Sequence, residues 1–220
     1  MSVSSVSVPL YNRLTRYLNY LKQLTADEPV NISATAIATA LALNDVVVRK
    51  DIASVSDGGK SKIGYVRAEL IADLEHFLGH DNQSDAALVG VGNLGKALLS
   101  YDNFENYGLK IVAAFDRNPD LIGQSVNGKA VVDSAKIANL CRRLNIHIGI
   151  ITVPNAFAQE VCDALVKGGV RAVWNFAPTN LKVPENVAVK NEDMAASLAI
   201  LTAQLADSLT KYGVNEEEDY

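Results

Sequence analysis

A glycine-rich turn between an apolar run and a helical segment constrains this chain more than any other stretch. The apolar run covers residues 86–89, the turn reads Gly-Val-Gly-Asn-Leu-Gly over residues 90–95, and the helical segment follows at Lys96. In this setting the glycines permit a tight turn, a close approach of the backbone to a pyrophosphate, and close packing of helix on strand. Backbone N–H groups at the helix start then face the anion. The pattern therefore predicts a dinucleotide-binding turn.

A carboxylate further along the chain supports this interpretation. Residues 111–115 form a second apolar run, which ends at Asp116. Dinucleotide-binding domains place an acidic residue about 20 positions after the glycines, where it accepts a hydrogen bond from a ribose 2′-OH. A glycine turn in an α/β sheet that binds nothing is the alternative that the glycines alone leave open.

Apolar runs and helical segments alternate after residue 84, which predicts a doubly wound parallel sheet. The unbroken apolar run over residues 146–153 is typical of a parallel strand that is buried on both faces. In such sheets ligands bind outside the carboxyl ends of the strands. We therefore expect the strand ends at residues 90–95, 116, 152–155 and 175–178 to converge on one crevice.

The first 80 residues have the pattern of a helix-turn-helix domain. Apolar side chains recur at helical spacing from Leu14 to Leu24, which predicts an opening helix. Ser33 is a predicted N-cap of a second helix, and Asn44 of a third that runs to about Val55. Two short helices joined by a tight turn are typical of DNA-binding proteins.

Basic side chains cluster on this domain although the whole chain is acidic. The formal net charge is −5 at pH 7, but Arg49 and Lys50 lie on the third helix, and Lys60 and Lys62 lie in a glycine-rich segment that resembles the wing of a winged helix. A local basic patch is an electrostatic footprint for phosphate. The alternative is a small three-helix domain with a flexible charged loop.

Composition and cysteine usage indicate the cellular compartment in which the protein is expected. No apolar run approaches the roughly 20 residues of a membrane helix, and the N-terminus lacks the basic and apolar regions of a signal peptide. Cys141 and Cys162 are the only cysteines and form no C-x-x-C pair, which favours a reducing compartment with both thiols in the core. We expect a cytoplasmic protein with no membrane partner.

The last helical segment carries an apolar stripe. Such a stripe packs either on its own core or, as a terminal element, on a second subunit. Its members are Met194, Leu198, Leu201, Leu205 and Leu209.

The ordered set of motifs resembles the Rex family of redox-sensing transcriptional repressors. The resemblance covers roughly residues 7 to 209, and the order and spacing of the motifs carry it. They are Arg13-Leu14-Thr15-Arg16-Tyr17-Leu18, Val48-Arg49-Lys50-Asp51, Gly64-Tyr65, the glycine turn, Ala114-Phe115-Asp116, Thr152-Val153-Pro154, Asn175-Phe176-Ala177-Pro178 and Val183-Pro184.

This resemblance implies a homodimer that binds palindromic double-stranded operator DNA when NADH is scarce relative to NAD⁺, and that releases it when NADH binds. The terminal helix of one subunit is expected to insert between the domains of the other. The implied domains are a winged helix (1–80), a Rossmann domain (81–191), a domain-swapped helix (192–211) and an acidic tail (212–220).

The implied site residues fall into two sets. DNA contacts are expected from Asn44, Arg49, Lys50, Lys60 and Lys62, with Arg49 and Lys50 in the major groove and Lys60 in the minor groove. Cofactor contacts are expected from Gly90, Gly92, Asn93, Leu94, Gly95, Tyr101, Asp116, Arg117, Thr152, Val153, Pro154, Asn175 and Phe176. Within this set, residues 92–95 are expected to hold the pyrophosphate and Asp116 the adenosine ribose. Tyr101, residues 152–154 and residues 175–176 are expected to distinguish NADH from NAD⁺.

The chain departs from the family pattern at three places. Asn19 stands where an arginine of the opening helix is expected to pair across the dimer, although its acidic partner, Asp193, is present and is followed by Met194 where an apolar, often aromatic, residue is expected. Residues 54–58 lack the family's aromatic side chains, and Ser61 stands at a wing position that is often basic.

Two other functions compete with this one. An NADH-dependent oxidoreductase needs a positioned acid or base near the reacting carbon, but His76 and His80 precede the glycine turn and His147 lies in a strand. His76 and His80 also have the spacing of a metal pair, without an evident third ligand. A CoA-binding Rossmann module is disfavoured by Asp116, because that carboxylate would repel the 3′-phosphate of CoA.

Overall fold

The computed structural model describes residues 7–25, 29–61, 63–80 and 83–212. The chain divides into two compact units. The first contains the chain up to Gln83 together with Asn103–Leu109, and the second contains Ser84–Asp102 and the chain from Lys110 onward. The division near Gln83 is close to the expected boundary, whereas no sequence pattern indicates that residues 103–109 belong with the first unit.

The first unit is a winged helix. A helix-turn-helix forms its centre, and a two-stranded antiparallel sheet leads out of the wing. The elements are α1 (Val8–Gln23), β1 (Asn31–Ile32), α2 (Ala34–Ala40), α3 (Asp45–Ala53), β2 (Tyr65–Val66) and α4 (Arg67–Leu78).

One apolar core joins the four helices of this unit. The helical periodicity predicted for α1 is confirmed, because the side chains at that spacing are the buried ones. Fully buried members of the core are Leu14, Tyr17, Leu18 and Leu21 of α1, Ile37 of α2, Val48 and Ile52 of α3, and Leu70 and Leu74 of α4.

Side-chain caps fix the start of α2 and of α3. The Ser33 hydroxyl oxygen accepts a hydrogen bond from Ala36 N at 3.0 Å. Asn44 Oδ1 accepts hydrogen bonds from Val46 N at 3.0 Å and from Val47 N at 3.3 Å. These N–H groups have no partner within their helices, so both predicted N-caps are confirmed.

A buried carboxylate ties α3 to α1. Asp51, only 7% exposed, accepts hydrogen bonds from Arg13 Nε at 2.6 Å, Arg13 Nη2 at 2.9 Å and Tyr17 Oη at 2.8 Å. The arginine meets both carboxylate oxygens, which is the strong bidentate geometry. Burial, together with the hydrogen bond to Asp51, raises the pKa of Tyr17 to about 12, so the phenol stays protonated and donates. The helix that carries Arg49 and Lys50 is therefore held by charge as well as by apolar packing.

The second unit alternates strands and helices as predicted. Its strands are β3 (Ser84–Val89), β4 (Leu109–Asp116), β5 (Ser125–Val126), β6 (Lys129–Asp133), β7 (Ile148–Ile151), β8 (Ala172–Asn175) and β9 (Ala188–Asn191). Its helices are α5 (Asn93–Leu99), α6 (Ile137–Arg143), α7 (Asn155–Lys167) and α8 (Met194–Tyr212).

The seven strands form one sheet in the order β5-β6-β4-β3-β7-β8-β9. The pairs β4–β6, β3–β7, β7–β8 and β8–β9 are parallel, and only the short β5 pairs antiparallel, with β6. From β6 onward this is the Rossmann strand order, which reverses between β3 and β7. The predicted doubly wound parallel sheet is confirmed.

The structure corrects two predicted boundaries. α5 begins at Asn93, inside the glycine motif, and not at Lys96. The apolar run over residues 146–153 contributes only Ile148–Ile151 as strand. In addition, Ser125–Val126 forms a hairpin with β6, and Asn127 and Gly128 both adopt positive φ, the geometry of a tight Asn-Gly turn.

Four consecutive residues of β3, Ala86 to Val89, are buried, so both faces of this central strand are covered. Cys141 and Cys162 are unpaired and buried in the apolar core of the second unit, as predicted. Burial raises the pKa of each thiol to about 11, so neither has the thiolate character that reactive cysteines need.

Helix α8 exposes its apolar stripe. No helix in the described part of the chain is long and apolar enough to cross a membrane. The side chains of the stripe, each more than half exposed, are Met194, Leu198, Leu201, Leu205 and Leu209.

We predict that Asp51→Ala lowers the free energy of unfolding by about 3 kcal/mol, because it leaves Arg13 and the Tyr17 hydroxyl without their buried partner. Urea denaturation followed by circular dichroism measures the loss. Asp45→Ala is the matched control on the same helix, because it breaks an exposed pair with Arg49 and should cost less than about 1 kcal/mol. Equal losses in the two variants would contradict a structural role for the buried pair.

Candidate functional site

The glycine turn is fixed by hydrogen bonds at the carboxyl ends of three strands. Gly90 N donates to Phe115 O of β4 at 2.8 Å. The Thr152 hydroxyl, just after β7, donates to Gly90 O at 2.7 Å. Gly90 has a φ of +102°, and a Cβ there would lie 2.8 Å from the Thr152 carbonyl carbon. A glycine is therefore required at this position, because the backbone has a positive φ and because a Cβ would clash with the backbone at Thr152.

The other two glycines of the motif differ from each other. A Cβ on Gly95 would collide with the Gly90 carbonyl oxygen, so this glycine allows α5 to pack on the end of β3. A Cβ on Gly92 would meet nothing within 4 Å. Gly92, Asn93 and Leu94 are exposed at the start of α5. The open space at Gly92 fits the predicted approach of a ligand to the backbone.

Asp116 sits at the end of β4 and faces the glycine turn. Its Oδ2 accepts a hydrogen bond from Val91 N at 2.6 Å, and its Oδ1 accepts one from Asn118 N at 2.8 Å. Each carboxylate oxygen keeps a further lone pair for a ligand. The carboxylate is thus oriented by the backbone and can still accept a hydroxyl.

The strand ends frame a cleft of about 670 Å³. It lies where the strand order reverses, the place at which α/β sheets bind ligands, and its volume suits a small molecule. Its lining is mostly apolar, with α6 and α7 providing an apolar wall and a smaller number of polar and charged side chains. The predicted residues that line it are Gly90, Gly92, Asp116, Arg117, Thr152, Val153 and Pro154, and the apolar wall includes Ile137, Ala138, Phe157, Val161 and Ala164.

Arg117 and Phe157 form a stacked pair in this lining. The guanidinium carbon lies 3.6 Å from the centroid of the phenyl ring, within cation–π distance. Phe157 was not predicted, because its place on α7 resembles that of any other apolar helix residue. The pair presents a flat, positively charged surface next to Asp116.

The remaining predicted cofactor residues do not line this cleft. Asn93, Leu94 and Gly95 lie at the start of α5, and Tyr101 follows its end. Phe176 lies beyond β8 and packs against Trp174 with ring centroids 4.8 Å apart.

The side chain of Asn175 is fully buried. Its Nδ2 donates to the carbonyl oxygens of Ala177 and Thr179 at 3.1 and 2.9 Å and to Asn191 Oδ1 at 2.9 Å. Its Oδ1 accepts from Ala177 N at 3.0 Å. Asn175 thus shapes the loop after β8, and its expected contact with a cofactor stays a prediction.

The described residues contain no group of three or more His, Cys, Asp or Glu side chains that could hold a metal. The three histidines, His76, His80 and His147, do not line the cleft. Asp116 and Glu160 are the acidic residues in the lining, and Arg117 and Lys167 the basic ones. The cleft therefore presents side chains of both charges together with polar backbone groups.

A second surface lies on α3. Arg49 and Lys50 are exposed in the second turn of this helix. Arg49 Nη2 donates a hydrogen bond to Asp45 Oδ2 at 3.1 Å. Asn44, also predicted to contact DNA, uses its Oδ1 to cap the helix. Arg49 and Lys50 are thus both exposed on α3, and their expected contacts with DNA stay a prediction.

The wing begins with a narrow hairpin. Lys60 N donates to Gly64 O at 2.8 Å, and Gly64 N donates to Lys60 O at 2.9 Å. Gly64 has a φ of +87° and lies against the Ile32 carbonyl, which leaves no space for a side chain. Lys60 is exposed at the base of this turn. Lys62 lies outside the described residues.

Comparisons with known proteins identify the family. A family model described as a CoA binding domain matches residues 81–179, and one described as a putative DNA-binding protein N-terminus matches residues 5–53. The redox-sensing transcriptional repressor Rex of Porphyromonas gingivalis is 40% identical over 198 residues, which cover 90% of this chain and 91% of that protein. The chain belongs to the Rex family. The Rex repressor of Clostridium beijerinckii is 39% identical over 204 residues, which cover 93% and 97% of the two chains.

Solved Rex structures share the fold. The crystal structure of RSP in complex with β-NAD⁺ and operator DNA matches with a TM-score of 0.87 and 32% identity, over 97% of this chain and 99% of that one. RSP in complex with β-NADH matches with a TM-score of 0.84 and 31% identity, over 96% and 99% of the two chains. The resemblance and the fold class inferred from the sequence are confirmed.

We predict that Gly95→Ala lowers the free energy of unfolding by about 2 kcal/mol, because the added methyl group must displace the Gly90 carbonyl. Gly92→Ala is the control: its methyl group enters open space, and the loss should stay below about 1 kcal/mol. Urea denaturation measures both. A larger loss for Gly92→Ala than for Gly95→Ala would contradict the packing described for this turn.

Proposed function

We propose that this Rex-family protein is a transcriptional repressor that binds operator DNA and is released from it by NADH, so that it senses the NADH/NAD⁺ ratio. One observation carries the proposal. A single chain combines a winged helix with an exposed basic recognition helix and a Rossmann sheet whose glycine turn and Asp116 border a cleft at the strand-order reversal. The relatives, named repressors and not enzymes, support it.

The cofactor fits the residues present. Residues 92–95 hold the pyrophosphate, because Gly92 leaves the backbone open and α5 directs N–H groups toward it. Asp116 accepts a hydroxyl of the adenosine ribose with the lone pairs that Val91 and Asn118 leave free. Arg117, flat against Phe157, and residues 152–154 border the adenosine portion. Because residues 152–154 line the same cleft as Asp116, we assign them this role in place of the redox discrimination that the resemblance implies.

Asp116 also makes the site selective for NADH and NAD⁺ over CoA and NADP. A carboxylate held beside the ribose accepts a free hydroxyl and repels a phosphate at that position. The family model that carries the CoA name shares the Rossmann fold with this unit, and fold alone does not decide the ligand. Binding of CoA in place of NADH is therefore the alternative that the experiment below tests.

DNA is bound through α3 and the wing. Arg49 and Lys50 enter the major groove, where basic side chains read guanine edges, and Lys60 reaches the minor groove or its phosphates. The caps at Asn44 and the ion pair at Asp51 hold α3 at a fixed angle to α1. A palindromic operator then follows from the two-fold symmetry of a dimer.

The dimer is formed by α8. The side chains of its apolar stripe are each more than half exposed, and such an exposed apolar surface is typical of an interface. A second subunit covers the stripe by exchange of residues 192–211. We place this homodimer in the cytoplasm, consistent with its two unpaired, buried cysteines.

The decisive experiment uses the purified full-length protein. An operator duplex is first selected from a random pool, and its binding at fixed salt is then titrated separately with NADH, NAD⁺ and CoA. We expect release by NADH alone. Tight binding of CoA without binding of NADH would overturn the proposed cofactor, and an NADH affinity that operator DNA does not change would overturn the switch, because linkage is reciprocal.

We predict that Lys50→Ala weakens binding of the selected operator by about 1–3 kcal/mol, because a side chain that reads a base is lost. Affinity should also fall steeply with salt concentration. Fluorescence anisotropy measures both. Lys110→Ala, an exposed lysine of the second unit, should bind as the unchanged protein does. An effect of equal size in both variants would remove Lys50 from the recognition surface.

We predict that Leu201→Glu converts the dimer to a monomer, because a carboxylate would have to be buried in the apolar interface. Sedimentation velocity distinguishes the two states. Ala203→Glu adds the same charge on the opposite face of α8 and should leave the dimer intact. A Leu201→Glu protein that remains dimeric would show that the stripe is not the interface.

A further inference from the structure

Two valines on the recognition helix have no structural reason to be there. Val46 is 53% exposed and Val47 is 39% exposed, in the first turn of α3. The core contacts of this helix come from Val48 and Ile52, which are fully buried. β-Branched residues lose side-chain freedom in helices and are not favoured on a solvated helix face. The exposed valines therefore point to a partner that α3 meets outside the fold.

Val46 lies in the middle of the basic face. It precedes Arg49 by three residues and Lys50 by four, the spacing at which helix side chains are neighbours. Val47 lies toward the edge of the same face. The partner must therefore match a small apolar surface directly beside two cations, and both properties occur together in the major groove of DNA, where thymine methyl groups lie between phosphate chains.

The first turn of α3 is also rigid. Val46 N and Val47 N both donate to Asn44 Oδ1, and the buried Asp51 fixes the following turn to Arg13 and Tyr17. A methyl contact needs this rigidity, because apolar contact is lost once a gap of less than 1 Å opens between the groups.

We infer that Val46, with Val47 beside it, reads the C5-methyl group of a thymine in each operator half-site. This specificity role rests on the proposed DNA-binding function and adds a position at which the base is recognised without a hydrogen bond. Uracil has the same base-pairing and groove hydrogen-bond groups as thymine and lacks only the methyl group. Replacing dT by dU therefore removes the inferred contact alone.

The test combines DNA and protein changes. Operator duplexes selected from a random pool by the full-length protein are remade with dU at each thymine position in turn, and affinities are measured for the unchanged protein, Val46→Ala and Val8→Ala. One position should weaken binding by the unchanged protein about fourfold per half-site, the value expected for one methyl group. Val46→Ala should bind the operator with thymine about as weakly as the unchanged protein binds the operator with dU. Replacing that thymine by dU should not weaken its binding further.

Val8→Ala is the matched control, because Val8 is an exposed valine on α1; it should keep the full dU effect. A selected operator on which no dU substitution weakens binding, or on which Val46→Ala retains the same sensitivity, would overturn the inference and leave the proposed function standing. A pool from which the protein selects no duplex would overturn both. Circular dichroism of Val46→Ala excludes unfolding as the cause of any loss.

Discussion

The contact between the Gly90 carbonyl and the Thr152 hydroxyl is the constraint on which the second unit depends. It joins the ends of β3 and β7 across the strand-order reversal. Gly95 packs against the same carbonyl, with no room for a side chain. Three segments thus meet at one oxygen atom, and the glycine turn, the start of α5 and the loop after β7 can only move together. A ligand that touches one of them meets a preformed surface.

The first unit has an equivalent centre in Asp51. Its carboxylate satisfies a guanidinium and a phenol within the apolar core, so that α3 cannot rotate about its own axis without leaving buried charge unpaired. Apolar packing alone tolerates small rotations, because one methyl group can substitute for another. A directional ion pair does not, so it places α3 more exactly than apolar packing alone would.

Local patterns predicted the elements and much of the site, whereas contacts between distant residues could not be predicted. The caps at Ser33 and Asn44, the glycine turn and Asp116 follow from a few neighbouring residues, and a sequence displays such rules directly. The pair of Arg13 and Asp51 spans 38 positions, and nothing nearby in sequence marks it. Asn175 is a second example: its place at a strand end suggests a ligand contact, and only tertiary structure reveals that its buried amide bonds the loop after β8 and Asn191.

The hydrogen bonds of Asn175 link the last two strands of the sheet. Its amide bonds the loop after β8 and Asn191 at the end of β9, from which the chain enters α8. Under the function proposed above, the cleft at Asp116 would hold groups that NADH and NAD⁺ share, and a ligand shifts an equilibrium only through differential affinity. The proposal therefore requires that the two redox forms be distinguished beyond that cleft, and it directs attention to Tyr101, Phe176 and the start of α8.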